Sequence, residues 1–374
     1  MRTFDHAMLR EIYEQPEAIQ RTIDLYTAAG ALLPEFAQQL TSWSNHHGEV
    51  LIAASGSSRH AGLAAEILLE DLCGMAVDVE YASEYACRGN RDVRHPSVLV
   101  LSQSGETSDT LAALRVANER AQKTLAITNV ATSTMAREAT VSMPLAAGPE
   151  KAIPATKSFT CQLTSLYLLS LFEASRSCHL NASELGVALQ ELRSLPERIA
   201  AALPAWEERL RELAAAYHSA ATFLFLGRGI HYAIAREGAL KLKEASYVHA
   251  EGYPAGELKH GPMALVSERV PLVVIATQDT AHPASAEHYE KTVQLLEDMQ
   301  KQGANVLAIV NQGDSIVPPL VTNVIEVPAA SEYLLPILEV VPLQLFSYFM
   351  ALEHGVDVDR PRNLSKAVIE TIQS

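Results

Sequence analysis

Two short segments of the sequence concentrate hydroxyl groups between an apolar run and a helical pattern. They are Ala54-Ser-Gly-Ser-Ser58 and Ser102-Gln-Ser-Gly-Glu-Thr-Ser108. At each segment, backbone N–H groups of a helix N-terminus and side-chain hydroxyls can donate hydrogen bonds to an anion. We therefore predict a phosphate-binding site. The side chains predicted to line it, named here the hydroxyl cradle, are Ser57, Ser58, Ser102, Gln103, Ser104 and Thr107.

The first segment alone does not establish such a site, because a serine before a helix is also an ordinary N-cap. The second segment favours the anion, since both follow strands whose carboxyl ends would meet at one edge of a parallel sheet. The pattern GxxxxGKS/T is absent, so the phosphate need not belong to a nucleoside triphosphate. A dinucleotide is not expected either, because Tyr232 occupies the third glycine position after Gly227-Arg-Gly229.

Four further residues could transfer protons or form a covalent bond. Lys241 and Glu244 are three residues apart in a helical pattern and share a helix face, although an exposed ion pair has the same spacing. His260 precedes the helix breakers Gly261-Pro262, and an imidazole on a loop can transfer protons near neutral pH. Lys366 lies near the C-terminus, and burying an amine favours its nucleophilic form. For each residue, an ordinary surface or packing role is the alternative.

Together these groups suit the isomerisation of a sugar. Moving a carbonyl between C1 and C2 requires ring opening, removal of a proton from one carbon and its return to the next. A carboxylate can carry the proton, a histidine can serve the ring oxygen, and a lysine can form an imine with a keto group. This function requires the fold to gather all of them around one anchored sugar.

The elements that must position these residues form a repeated α/β pattern. Apolar runs alternate with helical segments, which favours parallel sheets covered by helices on both faces. The predicted strands are 50–53, 98–101, 125–128, 223–226, 272–276 and 306–310, and predicted helices include 60–72, 108–121 and 286–302. The segment at His60 recurs at His231 after 171 residues, and the segment at Leu125 recurs at Leu307 after 182 residues. We interpret this as two copies of one unit, although two unrelated Rossmann-like domains would look similar. A helical segment, 181–220, bridges the copies, and we expect breaks in it at Pro196 and Pro204.

Composition excludes several classes of protein. Of 374 residues, 48% are hydrophobic and 20% charged, and 29 Lys and Arg against 44 Asp and Glu give a net charge of −15. No basic stripe suited to nucleic acid is present. The four cysteines form no CxxC pair, so neither a zinc ribbon nor a redox dithiol is expected. No apolar stretch reaches 18 residues and the first residues do not form a signal peptide, so we expect a cytoplasmic protein without membrane contact.

Seven motifs, in family order, resemble the isomerase region of the glucosamine-6-phosphate synthase family, a tandem pair of sugar isomerase (SIS) domains. They cover residues 11–19, 54–62, 101–107, 155–160, 238–244, 256–262 and 361–366. The resemblance implies an α/β fold of two SIS domains, each with a flavodoxin-like (Rossmann-like) parallel sheet flanked by helices. The expected boundaries are 1–45 for a helical lead, 46–185 and 186–355 for the two domains, and 356–374 for a C-terminal tail that completes the site.

The resemblance also implies a role for each candidate residue. The hydroxyl cradle would hold the sugar phosphate, Glu244 would move the proton between C1 and C2 with help from Lys241, and Lys366 would form the imine. His260 would act in ring opening by reaching into the neighbouring subunit's site, so a homodimer would be the smallest active unit. No metal or organic cofactor is implied.

Three functions are consistent with these observations. The first is the interconversion of glucosamine 6-phosphate, or a related hexosamine phosphate, with fructose 6-phosphate and ammonia; a plain aldose–ketose isomerase is a variant of it. We expect the deaminating direction, because nothing in the sequence resembles the family's glutaminase. The second is an aminotransferase that takes ammonia from a separate glutaminase chain, and the third is a non-catalytic sugar-phosphate sensor. Within the motifs the sequence departs from the family at two places: Arg59 replaces a tyrosine beside the first hydroxyl segment, which leaves the identity of the substrate open, and Pro154-Ala155 replaces a small Ala-Ser pair.

Overall fold

The computed structural model describes residues 2–43, 48–88 and 95–366. Parts of the predicted lead and first domain, and residues 367–374 of the predicted tail, therefore lie outside the described residues. The chain divides into two compact units. The N-terminal unit comprises Glu17–Glu150, Lys157–Ser194 and Ser365–Ser374; the C-terminal unit comprises Met1–Pro16, Lys151–Thr156 and Leu195–Leu364.

Three helices and a small hairpin precede the first large sheet. The helices are α1 (Ala7–Tyr13), α2 (Gln15–Tyr26) and α3 (Pro34–Thr41). Between the last two, β1 (Thr27–Ala28) pairs antiparallel with β2 (Ala31–Leu32).

The N-terminal unit is built on a parallel sheet of five strands. These are β3 (Glu49–Ala54), β4 (Ala76–Tyr81), β5 (Ser97–Ser102), β6 (Thr124–Thr128) and β7 (Val141–Pro144), in the order β4-β3-β5-β6-β7. Its further helices are α4 (Gly56–Cys73), α5 (Ala82–Cys87), α6 (Ser108–Glu119), α7 (Thr134–Glu138) and α8 (Lys157–Arg176). Leu51, Val98 and Val100 pack on one face of the sheet against Leu111 and Leu114 of α6. This apolar contact fixes the strand ends from which the helices start.

The C-terminal unit repeats the same architecture after a long helix, α9 (Ala182–Tyr217). Its strands are β8 (Thr222–Gly227), β9 (His249–Pro254), β10 (Leu272–Ala276), β11 (Val306–Asn311) and β12 (Asn323–Val327), in the order β12-β11-β10-β8-β9. Its helices are α10 (Ile230–Ser246), α11 (Pro283–Lys301) and α12 (Leu335–Glu353), with 3₁₀ turns at Ala255–His260, Pro262–Leu265 and Pro318–Leu320. In both sheets the first strand lies beside the second on one side and the third on the other. This shared flavodoxin-like order confirms the predicted doubling.

Each of the six predicted strands falls within an observed strand. Apart from the short hairpin strands β1 and β2, the strands that were missed are all at the edges of the two five-stranded sheets: β4, β7, β9 and β12. An edge strand is paired on one side only and is partly exposed, so it need not be continuously apolar. The sequence of β9, His249-Ala-Glu-Gly-Tyr-Pro254, illustrates this. Because such segments lack the apolar run of a central strand, composition alone does not reveal them.

The helix breaks predicted at Pro196 and Pro204 were wrong, because both prolines lie inside the single helix α9. Each proline removes one backbone donor from the helix. An apolar stripe nevertheless continues past the first of them, and its members are buried: Leu192, Leu195, Ile199 and Leu203. Burial of that stripe favours a continuous helix over the local preference of proline.

Helix α12 is long and apolar enough to cross a membrane by length and composition alone. However, 94% of its most apolar window is buried inside the protein, and the window includes the buried residues Glu339 and Gln344. This is also the character of a core helix in a large α/β protein. The helix therefore gives only weak support for a membrane span.

Candidate active site

The two segments of the hydroxyl cradle leave neighbouring strands of the N-terminal sheet. Ala54, the last residue of β3, pairs with Leu101 of β5. The chain passes from β3 to β4 on one side and then to β5 on the other, so β3 and β5 flank the point where the strand order reverses. Parallel sheets bind ligands in the crevice at this position. The sheet thus brings together two segments that are far apart in the sequence.

The second segment of the cradle folds into a compact cluster of hydroxyl groups. Ser102 Oγ lies 2.9 Å from Thr107 Oγ1 and 3.4 Å from Ser104 Oγ. Backbone N–H groups of Gly105 and Glu106 donate to Ser102 Oγ and Ser104 Oγ, at 3.1 and 3.2 Å. In each contact between two hydroxyls one O–H is the donor, and the remaining O–H groups can turn toward an anion. The cluster therefore has the donor character that a phosphate requires.

The first segment forms the N-terminus of α4. Ser58 is buried, and its Oγ accepts a hydrogen bond of 2.9 Å from Gln162 Nε2 on α8. Ser57 is half-buried, and Gly56 begins the helix with a φ of +54°. The side-chain oxygen of Gln103 in the second segment is buried without a hydrogen-bond partner among the described residues. Arg59, which departs from the family's tyrosine, places its guanidinium 3.9 Å from the ring centroid of Tyr81.

Lys366 also belongs to the N-terminal unit, where its amine contacts a carboxylate. Lys366 Nζ donates to Glu150 Oε2 at 2.6 Å, and Ser158 Oγ donates to the same oxygen at 2.7 Å. Ser158 and Gln162 are four residues apart on α8 and so share a helix face. One face of α8 therefore connects Lys366, through Glu150, with Ser58 of the cradle, through Gln162.

The described part of the tail is held in place before it reaches Lys366. Both carboxylate oxygens of Asp359 accept hydrogen bonds at the start of α1, from the N–H groups of Ala7 and Met8, at 2.7 and 2.8 Å. The N–H of Arg362 donates to the hydroxyl of Tyr247 at 2.6 Å. A chain end frays unless contacts hold it in place, and these contacts order the described tail up to residue 366.

Lys241 and Glu244 form an ion pair in the C-terminal unit, on α10. The amine of Lys241 donates to Glu244 and lies 3.5 Å from Glu237. The side chain of Lys241 is only 1% exposed and that of Glu237 is 0% exposed, whereas that of Glu244 is 23% exposed. The alternative of a solvated surface pair is therefore wrong. A buried ammonium instead holds one carboxylate inside the protein and one at its surface.

His260 lies in the same unit and ends the 3₁₀ turn Ala255–His260, where a loop had been predicted. The break falls at the predicted place, because Gly261 has a φ of +146° and a second turn begins at Pro262. The His260 side chain is exposed. Its predicted role in a neighbouring subunit stays a prediction.

The corresponding crevice of the C-terminal sheet is occupied by charged side chains of the protein. His231, at the start of α10, lies 2.8 Å from Glu339 and 3.3 Å from Glu332, and all three are buried. Thr277 lies just past the end of β10, much as Ser102 lies at the end of β5, and its hydroxyl donates to Glu339 at 2.5 Å. Burial alone would lower the pKa of His231, but Glu339 and Glu332 outweigh it and raise the pKa to about 10. Two buried carboxylates make this crevice unsuited to a phosphate, so of the two crevices formed by the described residues the N-terminal one suits an anion better.

Sequence reasoning missed Glu150, Gln162 and Glu237. Glu237 is four residues before Lys241, so helical spacing could have revealed it. Glu150 and Gln162 show no such signal, because their partners are distant in sequence. A cavity of about 730 Å³ between α9 and β12 contains none of the predicted site residues in its lining. It therefore gives no support to the candidate site.

Comparisons with known proteins agree with this architecture. A family model described as SIS domain matches residues 44–171 and 216–354. Glutamine–fructose-6-phosphate aminotransferase (isomerizing) from Chlorobaculum tepidum is 40% identical over 367 residues, which cover 98% of this chain and 58% of that protein. The protein of the same name from Pseudomonas putida is 43% identical over 371 residues, with 98% and 59% coverage. The chain thus spans less than two thirds of the length of these relatives.

Two solved structures extend the comparison. The C-terminal domain of glucosamine-fructose-6-phosphate aminotransferase from Francisella tularensis has a TM-score of 0.86 and 34% identity, covering 96% of this chain and 98% of that chain. Glucosamine-6-phosphate deaminase from Thermotoga maritima has a TM-score of 0.73 at 23% identity, with 97% and 100% coverage, which shows a shared fold. With the site geometry, these similarities support an enzyme of the sugar-phosphate isomerase type. By its two matched segments and its relatives, the chain belongs to the SIS domain family.

Proposed function

We propose that this chain interconverts glucosamine 6-phosphate, or a related hexosamine 6-phosphate, with fructose 6-phosphate and ammonia by proton transfer between C1 and C2. The observation that carries the proposal is the Lys241–Glu244 pair. A carboxylate 23% exposed is oriented by an ammonium that is 1% exposed. Such a carboxylate is held in place yet accessible to a substrate, as a proton carrier must be. A solvated surface pair would not hold its carboxylate in this way.

The hydroxyl cradle binds the substrate in this proposal. The phosphate dianion accepts from the hydroxyls of the 102–107 segment and from the N–H groups that begin α4. The helix N-terminus adds a favourable electrostatic contribution. Because the remainder of the chain carries net negative charge, this local positive potential decides where the anion binds.

The remaining residues carry the chemistry. His260 assists ring opening, Glu244 removes the proton from one carbon and returns it to the next, and Lys366 forms an imine with the keto carbon. We propose that His260 acts in the site of a second copy, so that the active form is a homodimer. The domain boundaries, the cytoplasmic location and these roles stay predictions.

A second candidate is fructose-6-phosphate aminotransferase activity with ammonia supplied by a glutaminase. The names of the relatives from Chlorobaculum tepidum and Pseudomonas putida favour it. The two candidates share one site and differ in the source and direction of the amino group. A non-catalytic sensor would bind the sugar phosphate without turnover.

The test measures ammonia and fructose 6-phosphate formed from a panel of hexosamine 6-phosphates, and hexosamine formed from fructose 6-phosphate with ammonium or with glutamine. Glu244→Gln should lower kcat by about 10²–10⁴-fold. The matched control is Glu287→Gln, which alters an exposed helical pair with Lys291 in the same unit and should leave turnover unchanged. Hexosamine formed only when a glutaminase is added would favour the second candidate. Thermal stabilisation by sugar phosphates without turnover would refute both enzymatic proposals.

A further inference from the structure

Glu150 has no role in the chemistry proposed so far, yet it contacts the residue proposed to form the imine. Its side chain is 0% exposed, and its Oε2 lies 2.6 Å from Lys366 Nζ. The same carboxylate accepts from the N–H of Ser158 at 3.0 Å and from its Oγ at 2.7 Å. A lysine at the protein surface usually pairs with a solvent-exposed carboxylate, whereas this carboxylate is buried and accepts three hydrogen bonds. The contact therefore belongs to an ordered site.

These contacts decide the charge of Glu150. Burial opposes ionisation of the carboxyl group, but the charge of Lys366 and the hydrogen bonds from Lys366 and Ser158 outweigh it. They hold the pKa of Glu150 below its ordinary value. In the free enzyme, a negatively charged carboxylate therefore faces an amine whose side chain is 25% exposed. The buried charge would be costly without that amine, so the two groups depend on each other.

Two other titratable groups, both on α8, lie near this pair. Lys157 on α8 donates its amine to the carbonyl oxygen of Pro149 at 2.7 Å. Cys161, also on α8, is affected by Glu150, by Lys157 and by Arg21 of α2. Burial is the main cause that raises the pKa of the Cys161 thiol to about 12, so this group stays neutral in the range tested below.

We propose that Glu150 is a positioning residue for Lys366: its carboxylate holds the amine by a charge-paired hydrogen bond in the free enzyme and takes the proton of the amine when the amine attacks a sugar carbonyl. The inference rests on the proposed function, because it concerns the imine-forming role of Lys366. Glu150 acts through Lys366 and needs no contact with the substrate.

The step balances with Glu150 as the proton acceptor. The ammonium of Lys366 gives one proton to Glu150, and the freed lone pair forms a bond to the keto carbon while the carbonyl π pair moves to oxygen. Proton transfer from nitrogen to that oxygen produces a neutral carbinolamine. Glu150 then returns its proton to the carbinolamine nitrogen, from which it passes to the hydroxyl; the hydroxyl leaves as water, and the nitrogen lone pair forms the double bond of a protonated imine. Glu150 ends as a carboxylate, ready for the next cycle.

The first experiment tests the charge pairing without any substrate. Trace acetic anhydride acylates neutral amines, and mass spectrometry of the peptide containing Lys366 measures the extent of labelling from about pH 6 to about pH 10. Glu150→Gln keeps an oxygen that can accept from Ser158 but removes the charge. Its labelling midpoint should move to lower pH by about one to three units. The matched control is Glu173→Gln on α8, a side chain 0% exposed and paired with Arg176 at 2.8 Å, which should leave the midpoint unchanged.

The second experiment tests the consequence for the imine. Fructose 6-phosphate and borohydride should convert Lys366 of the unmodified enzyme into a stable secondary amine, detected by intact mass. Glu150→Asp keeps the charge and draws the carboxylate back by about one bond length, so trapping should slow by about 10–100-fold with the midpoint retained. This variant also decides the matter if Glu150→Gln does not fold, because a rate equal to that of the unmodified enzyme would refute positioning.

The outcomes separate the two proposals. An unchanged labelling midpoint in folded Glu150→Gln would overturn the inference whatever the enzyme catalyses. A shifted midpoint with no trapped adduct in the unmodified enzyme would refute the imine step of the proposed function and leave the charge pairing supported. A shifted midpoint with slowed trapping supports both.

Discussion

Gly105 provides a direct test of how the hydroxyl cradle is built. Its φ is +67°, and a Cβ atom there would lie 2.1 Å from Ser133 Oγ, 2.5 Å from Ser133 Cβ and 2.8 Å from Thr128 Oγ1. Gly105→Ala therefore carries two costs. The left-handed backbone costs about 1–2 kcal/mol, and relief of the overlap costs about 1–3 kcal/mol more. The movement that relieves it must displace the segment that carries Ser102 and Ser104.

The matched control separates the two costs. Gly30, in the turn between β1 and β2 of the same unit, has a φ of +78° with no atom within 4 Å of an added Cβ. Gly30→Ala should therefore show the backbone cost alone. In thermal unfolding followed by circular dichroism, the midpoint of Gly105→Ala should fall roughly 2–12 °C further than that of Gly30→Ala.

Kinetics supply the second readout. A displaced cradle weakens phosphate binding, so KM for the sugar phosphate should rise about tenfold or more in Gly105→Ala and stay unchanged in Gly30→Ala. Adding Ser133→Gly to Gly105→Ala removes the nearest overlapping atoms and should restore part of the midpoint and of KM. Equal midpoints for the two alanine variants, with equal KM values, would show that the crowding around Gly105 does not exist and would refute this account of the cradle.

Three further predictions concern buried polar groups. Lys241→Met leaves the buried carboxylate of Glu237 without its cation and should destabilise the protein by about 3–5 kcal/mol in urea unfolding; a loss no larger than that of the exposed Lys291→Met would contradict the buried pair. The raised pKa of His231, about 10 against an ordinary 6.5, means that its stabilising contribution is complete below about pH 6.5 and is lost as the pH rises through about 10. The midpoint of thermal unfolding should therefore fall less steeply with rising pH in His231→Gln than in the unmodified protein. Parallel plots of midpoint against pH for the two proteins would exclude the effect. Gln162→Leu removes the donor to Ser58 and should raise KM by about three- to tenfold with kcat retained, so a changed kcat with constant KM would count against a binding role.

Much of the fold follows from local sequence patterns. The central strands are continuous apolar runs because both of their faces are covered, and every one of the six predicted strands lies inside an observed strand. The recurrence of His60 as His231 predicted two copies of one unit, and both sheets have the same strand order. The hydroxyl segments were also predictable, since the residues after a parallel strand meet at one known edge.

Other features depend on contacts between residues distant in sequence. The spacing of Lys241 and Glu244 predicts a shared helix face, but only packing decides that the amine is 1% exposed and the carboxylate 23%. The pairing of Lys366 with Glu150 joins residues 216 positions apart, and no periodicity encodes such a contact. The sequence by itself therefore determined which groups are available and on which elements they lie. The tertiary structure alone decided which charges are buried together, because desolvation depends on everything packed around a group and not on its neighbours in the chain.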